Sequence, residues 1–245
     1  MTTLIKFIIG VLTSLLVTSC VFNGNFGQVR GNGNVQTENF NISQDFDGVS
    51  AGNGWDVYLE KGTEVSVIVE ADENIIELAD IYVKGNTLKI YSEKNIGNAT
   101  SKKVYVTYVG NLQSIKASSG ADIVTKEVLK GEELSLNVSS GGSIKAEAIV
   151  RNIDTGVSSG GTIRLAGSSE KLDASVSSGG TINAKELRAK YATAKASSGG
   201  TMDIRVTDKL YARASSGGDI DYWGNPKEVD KPRKSVSGGS VDAKD

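Results

Sequence analysis

The stretch NVSSGGSI, from Asn137 to Ile144, decides how this 245-residue chain folds. Close copies follow as GVSSGGTI from Gly156 and SVSSGGTI from Ser175. A final variant, SVSGGSV, ends at Val241 and lacks one serine. The Ser-Ser-Gly core begins at positions 18 to 21 residues apart, namely Ser118, Ser139, Ser158, Ser177, Ser197 and Ser215. A repeat of this length indicates a solenoid in which each copy builds one turn.

The residues around each core identify the kind of solenoid. Apolar and polar residues alternate before the glycines, at Leu134, Leu136 and Val138, and after them, at Ile144 and Ala146. Alternation of period two is typical of strands with one buried face. Leucine-rich repeats carry a different Leu/Asn pattern, and helical repeats are longer. The sequence therefore predicts an all-β fold, a single-stranded parallel β-helix with about 20 residues per coil.

The Gly-Gly pair is expected to turn the chain at a corner of each coil. Glycine supplies positive φ angles or close backbone approach there, and the adjacent serines are expected to hydrogen-bond to local backbone or to each other between coils. Many inward positions are alanine, such as Ala184, Ala194 and Ala212, so the interior is expected to be narrow. This structural role accounts for the repeated phrase without a ligand.

The N-terminus predicts a lipoprotein signal peptide over residues 1–19. Lys6 precedes an apolar run, Phe7 to Val17, that is too short for a confident transmembrane span. The run ends in LVTSC, which resembles the bacterial lipobox whose cysteine, here Cys20, is lipidated after cleavage. The alternative is an ordinary signal peptide or membrane anchor with an incidental cysteine. By resemblance to lipoprotein sorting rules, Val21 in place of aspartate favours the outer membrane. No acidic export tag follows Cys20, so periplasmic or surface exposure stays open.

The mature chain divides into a tether and one β-helix domain. Residues 20–40 are rich in glycine and asparagine and predict a tether. Residues 41–115 contain less regular strands that predict wider first coils or a cap, and residues 116–245 contain the Ser-Ser-Gly-Gly coils. A loop over residues 221–234, which holds both prolines, is expected to cap the last coils.

The mature chain resembles the head GIN domain family of putative auto-transporter adhesins along almost its whole length. The likeness rests on the Trp55-Asp56-Val57 strand, the ADEN segment from Ala71 and the glycine corners. The closing stretch YWGNP…SVSGGS is similar as well. The resemblance implies a right-handed β-helix and a cell-envelope location in Bacteroidetes-type bacteria, and it brings no established activity.

The composition excludes several kinds of chemistry. The chain contains no histidine, which excludes Ser-His-Asp and Cys-His nucleophiles and histidine-bearing zinc sites. Cys20 is the only cysteine, so no intrachain disulfide forms. A formal charge of −2 gives no indication of a nucleic-acid partner. The candidate functional groups that remain are carboxylates and exposed aromatic side chains.

One acidic patch stands out when the repeats are aligned. Asp203 and Asp221 are expected to stack on adjacent coils about 4.8 Å apart, with Asp219 on the same face. Such a cluster is a candidate Ca²⁺ site, and the alternative is a solvated acidic face screened by Arg164 and a basic loop. Tyr222 and Trp223 follow directly and are candidates either for ligand contact or for covering the last coil.

These features predict a non-catalytic envelope protein, an adhesin or binding module that presents a polar face to glycans or to another envelope protein. A β-helix polysaccharide lyase or hydrolase is the alternative, with Asp203, Asp219 and Asp221 acting beside Lys145 or Arg164. The evenly spaced repeats leave little room for the loops that would build its cleft. A purely structural scaffold is the third possibility.

Overall fold

The computed structural model describes residues 28–231 and 238–245. It is a parallel β-solenoid of about seven turns with coils of roughly 19 residues, which confirms the fold predicted from the repeat. The predicted signal peptide and Cys20 lie outside the described residues. In the part of the chain that the structure describes, no helix has the length and apolar character needed to cross a membrane.

The N-terminal part is built from short strands, and some of them run antiparallel. In chain order they are β1 (Val35–Phe40), β2 (Gly48–Ala51), β3 (Asp56–Lys61), β4 (Ser66–Asp72), the four-residue helix α1 (Glu73–Ile76), β5 (Ala79–Lys84), β6 (Thr87–Ser92), β7 (Lys102–Tyr108) and β8 (Ser114–Ala117). β1 pairs antiparallel with β4, β4 with β7, and β5 with β6. These antiparallel pairs end the solenoid on this side, with β1 and β5 as edge strands that each pair with one neighbour.

Each regular coil is one long strand that bends around the solenoid. These strands are β9 (Asp122–Val138), β10 (Ser143–Val157), β11 (Thr162–Val176), β12 (Thr181–Ala196) and β13 (Thr201–Ala214). They pair in parallel. The register shifts midway along the β9–β10, β11–β12 and β12–β13 pairs, for example between Lys145 and Glu147, whereas β10 and β11 pair without a shift. The shifts take up the difference in length between neighbouring coils, so that the strands stay paired before and after each shift. Inside, Ile123, Ile144, Ile163 and Ile182 stack as a buried ladder.

The corners show why the phrase is Ser-Ser-Gly-Gly. Ser140 and Gly141 have φ values of 50° and 72°, and the Gly142 N–H donates to the Ser139 carbonyl. Two successive positive φ angles closed by this bond form a type I′ turn. A Cβ on Gly142 would lie 3.0 Å from backbone atoms of the preceding coil. One glycine therefore serves the turn, while the next allows close stacking of the coils.

The serine hydroxyls do not form the expected network. Among the serines that precede the corner glycines in the described residues, only Ser118 donates a side-chain hydrogen bond, at 3.5 Å to the Ala51 carbonyl. Ser143 and Ser240, which follow the glycines, donate to aspartates of a neighbouring coil. The second serine instead contributes its backbone, which adopts the positive φ of the turn. The corner hydroxyls therefore remain available to solvent along one edge of the solenoid.

A first corner lies in the segment that the sequence assigned to irregular strands. Asn53 and Gly54 have φ values of 54° and 79°, and the Trp55 N–H donates to the Gly52 carbonyl. This is the same turn with tryptophan in the position of the last glycine. The indole of Trp55 is fully buried and donates from Nε1 to the Tyr91 carbonyl at 3.1 Å. The large side chain helps to fill the wider first coil.

The expected tether is wrong for residues 28–40, which belong to the folded body. Val29 forms a β-bridge with Ile96, and β1 pairs with β4. The N–H groups of Asn32 and Gly33 donate to the side chains of Asn74 and Asp72 at 2.9 and 2.7 Å. Polar side chains of the ADEN segment thus bind the glycine-rich stretch that composition alone marked as flexible.

The predicted capping loop is also corrected over residues 221–231, while its residues 232–234 lie outside the described residues. It begins inside β14 (Asp219–Trp223), and β15 (Glu228–Asp230) continues the sheet beside β13. β16 (Ser240–Ala243) then stacks on β14. The solenoid rhythm therefore continues to the end of the described chain, with an irregular segment only around Gly224–Lys227 among the residues described here.

Candidate functional site

The structure brings the predicted acidic residues together. Asp203 pairs with Asp221, and Asp221 pairs with Asp242 on the next strand. Single oxygens of Asp219, Asp221 and Asp242 lie within 4.8 Å of one another. These four aspartates form the acidic ladder, on the outer face just after the last corners. The sequence alignment located three of its members as candidates, and Asp242 extends the cluster.

Protein cations neutralise part of the acidic ladder. Lys244 Nζ lies 3.1 Å from Asp221 Oδ1, and the Ser240 hydroxyl donates to Asp219. Arg164 and Lys145, which the sequence placed nearby, lie two and three coils away from Asp203 in the register. Lys244 occupies one flank of the position that the sequence offered to Ca²⁺, and calcium binding stays a prediction.

The remaining repulsion is visible at Asp203. Burial raises the pKa of its carboxyl group, and Asp221 and Asp219 raise this pKa further, while Lys185 and Lys244 offset only part of the shift. A carboxylate whose pKa is raised by folding destabilises the protein at pH values above that pKa. This destabilisation is lost as the pH falls through the folded-state pKa towards the pKa of an aspartate in the unfolded chain, about 3.9.

Replacing Asp203 by asparagine is therefore expected to stabilise the protein at neutral pH, by about 0.5 kcal/mol, because like charges on neighbouring strands repel. The gain should vanish near pH 4. Thermal unfolding at both pH values measures it. Asp208→Asn is the matched control, since Lys227 lowers the pKa of Asp208 and its loss should destabilise. A destabilised Asp203→Asn variant at neutral pH would contradict the repulsion.

The two aromatic candidates face opposite sides of β14. Tyr222 is 8% exposed and packs in the core, so it is not part of the ladder surface. Trp223 lies on the outer side, where Lys185 Nζ sits 4.4 Å from its ring centroid. Strand alternation explains the difference, because Asp219, Asp221 and Trp223 share one face and Tyr222 the other. Tyr222 is therefore not part of the predicted ligand patch, whereas Trp223 is, with the Lys185 ammonium group over its ring.

Sequence reasoning missed a groove on the face that precedes the corners. Its volume is about 410 Å³, and it spans neighbouring coils from β9 to β13. Two rows of side chains border it, and each row runs from coil to coil along the register. The outer row consists of Asn152, Lys171, Tyr191 and Lys209. The inner row, two residues further along each coil, consists of Asp154, Asp173, Thr193 and Tyr211. We call it the tyrosine groove.

The tyrosine groove combines an aromatic surface with hydrogen-bonding groups. Tyr191 is 45% exposed, one of the few large apolar side chains exposed in the described chain. Tyr211 lies diagonally across, and the Arg213 guanidinium stacks on its ring at 4.0 Å. Carboxylate, amide and hydroxyl groups lie beside the two rings. A concave surface with a few convergent polar groups is the usual form of a ligand site.

A signal for this groove was present in the sequence. The outer row lies six residues before each Ser-Ser core, and the inner row lies four residues before it. Counting backwards from the corners brings Tyr191 beside Lys171 and Asp173 beside Asp154, as the register confirms. The aspartates accumulate after the glycines, whereas the groove residues precede the corners.

Comparison with solved structures shows the same fold in other proteins. A "putative adhesin" from Bacteroides fragilis superposes with a TM-score of 0.79 at 20% identity, covering 88% of this chain and 99% of that one. A "putative adhesin" from Parabacteroides merdae gives 0.63 at 23% identity, covering 89% and 100%. A "putative lipid binding protein" from Parabacteroides distasonis gives 0.66 at 20% identity, with 89% and 100% covered.

Sequence comparison identifies the family directly. None of the curated proteins matches the chain. A family model described as "putative auto-transporter adhesin, head GIN domain" matches residues 45–226, from the first coil to the irregular segment after β14. The match includes the first corner, the Ser-Ser-Gly-Gly coils and the tyrosine groove. The chain therefore belongs to the head GIN domain family, which this description covers.

Proposed function

We propose that this protein is a non-catalytic adhesin of the bacterial cell envelope that binds glycans through the tyrosine groove. The observation that carries the proposal is the exposed ring of Tyr191 beside Asp154, Asp173 and Thr193 on a rigid parallel sheet. Aromatic faces pack on the apolar faces of sugars, and neighbouring carboxylates and hydroxyls accept or donate hydrogen bonds to sugar hydroxyls. Membership of a family described as "putative auto-transporter adhesin" supports the adhesin role.

The composition and the regular coils support binding rather than turnover. The chain has no histidine, and the acidic ladder is partly neutralised by Lys244. Coils of nearly equal length give no long loops that would build a cleft over the ladder in the described chain. A lyase or hydrolase of this fold would need such walls to position the substrate and exclude water.

The groove chemistry favours a glycan over a lipid ligand. One structural neighbour is described as a lipid-binding protein, and its similarity to this chain is a similarity of fold. The interior of the present chain is filled by packed side chains, while the tyrosine groove is open and lined by charged and polar groups. Acyl chains require an apolar cavity, whereas sugars bind on such mixed surfaces.

The proposal includes lipidation at Cys20 and placement in the outer membrane. The supporting observation is the lipobox-like sequence before Cys20, followed by Val21 rather than an acidic residue. Labelling cells with a palmitate analogue should mark the wild-type protein and not Cys20→Ala, and the variant should leave the membrane fraction. Equal membrane retention of both proteins would refute the anchor.

A glycan array with the purified mature protein, with and without calcium, tests the binding function. We expect saturable binding that Tyr191→Ala weakens at least tenfold, because a stacking surface is lost. Tyr82→Ala is the matched control, since Tyr82 is 41% exposed on β5, away from the groove. An array without binding would favour a protein partner or a scaffold instead. Binding that appears only with calcium would assign the acidic ladder a role.

A further inference from the structure

The tyrosine groove is lined by three carboxylates, Glu133, Asp154 and Asp173, and by two lysines, Lys171 and Lys209. Lys209 pairs with Glu228 at 2.8 Å, and Glu133 accepts a hydrogen bond from Asn152 at 2.7 Å. Asp154 and Asp173 are directly paired on adjacent coils. Within the described chain, neither of their carboxylates has an ion-pair partner or a side-chain hydrogen bond. Lys171 is the remaining cation of the groove, and it stands in the outer row.

This carboxylate pair is spaced by the sheet itself. Neighbouring coils lie about 4.8 Å apart, close to the length of one pyranose unit, so a glycan along the solenoid axis meets a new coil with each sugar. Burial raises the pKa of Asp154, and the charge of Asp173 raises it further. A cation placed between the two carboxylates would relieve this repulsion.

The strands favour a glycan over a basic peptide as the source of that cation. Backbone N–H and C=O groups on β10, β11 and β12 are bonded to the coils on either side, as the continuous parallel register shows. A peptide that binds a sheet gains affinity by pairing its main chain with an open edge, and no edge of the described strands faces this groove. Sugar hydroxyls need only side-chain partners, which Asn152 and Thr193 provide.

Resting on the glycan-binding function proposed above, we propose that the groove binds a linear glycan that carries protonated amines, with its chain along the solenoid axis. One amine lies between Asp154 and Asp173. The next sugar packs its face against Tyr191, one coil further along. Lys171, beside Asn152 in the register, repels amines from the outer row and so confines them to the inner row.

Two matched oligosaccharides test the inference, a glucosamine pentamer and its N-acetylated form, at a pH that keeps amines protonated and carboxylates ionised. We expect calorimetry to show at least tenfold tighter binding of the amine form. The double variant Asp154→Asn/Asp173→Asn should lose this preference and retain its affinity for the neutral form. Lys171→Gln should strengthen binding of the amine form.

A second acidic surface provides the control. Asp203→Asn/Asp221→Asn removes the same charge from the acidic ladder and should leave the preference for the amine pentamer unchanged. If this variant loses the preference as fully as the groove variant does, the assigned site is overturned. Equal affinity for both pentamers, with both lost in Tyr191→Ala, would overturn the amine selectivity and leave the glycan function standing. If neither pentamer binds and the glycan array shows no binding, both the glycan-binding function and the amine selectivity are overturned. A lysine-rich peptide that displaces the amine form and binds more tightly would overturn the choice of glycan.

Discussion

Replacing Gly167 by alanine is expected to prevent stable folding or to cost more than about 4 kcal/mol, the range reached only by severe backbone or core disruption. Gly167 lies in the bend of β11 opposite Ala148, with a φ of 112° that L-residues rarely adopt. A Cβ there would lie 2.0 Å from the Ala148 carbonyl oxygen. Because coils above and below hold both backbones, neither can move away without breaking several paired coils.

The contrast with an open glycine isolates the steric cause. Gly179 has a φ of 70°, and a Cβ added there would have no heavy atom within 4 Å beyond its chain neighbours. Gly179→Ala should therefore cost only about 1 to 2 kcal/mol for the left-handed conformation. Soluble yield and urea unfolding followed by tryptophan fluorescence compare the two variants. Similar yields and similar midpoints would contradict the role assigned to the close approach at Gly167.

Loss of the Asp72 carboxylate is expected to release the N-terminal segment. Asp72 is fully buried and accepts N–H bonds from Gly33 at 2.7 Å and from Thr100 at 2.6 Å, with Ser101 at 3.3 Å. Burial raises the pKa of Asp72, but these three N–H groups and the Thr100 hydroxyl together lower it more, so that the pKa of Asp72 lies below its usual value. Asp72→Asn should lower the free energy of unfolding by about 3 kcal/mol, because the three N–H groups lose their charged acceptor. In addition, the NH₂ group of the asparagine would face N–H donors and find no acceptor.

The pH dependence follows from the lowered pKa. The stabilisation by Asp72 is fully present above the pKa of the unfolded chain, about 3.9, and is lost as the pH falls through the folded pKa. Amide hydrogen exchange at Gly33, Thr100 and Ser101 should be slow at neutral pH and fast in Asp72→Asn. Asp80→Asn, an exposed carboxylate on β5, is the matched control and should leave these amides protected. Unchanged exchange in Asp72→Asn would show that other contacts hold the segment.

The register of the regular coils was predictable because it depends on local chemistry. Each Ser-Ser-Gly-Gly corner fixes where a coil turns, and alternation then assigns every following residue to one face. The stacking of Asp203 on Asp221 and the burial of alanines such as Ala194 therefore follow from counting. The same counting in the other direction would have located the tyrosine groove.

The N-terminal end was not predictable in this way. Gly31 to Asn34 read as a tether from composition, and their partners Asp72 and Asn74 lie about forty residues further along the chain. No local pattern encodes contacts of that sequence separation. Likewise, GNGW is a corner of the first coil, but its tryptophan hides the likeness to the glycine repeats.

The solenoid, its turns and the outward position of the acidic residues follow from the repeat, since these features depend on residues within one coil of each other. The surroundings of the acidic residues depend instead on contacts between coils. Lys244, which directly follows the last strand, neutralises Asp221, and Lys185 covers Trp223. The physical reason is that electrostatic environment and groove shape arise from side chains on several stacked coils, and bends with register shifts set which of them meet.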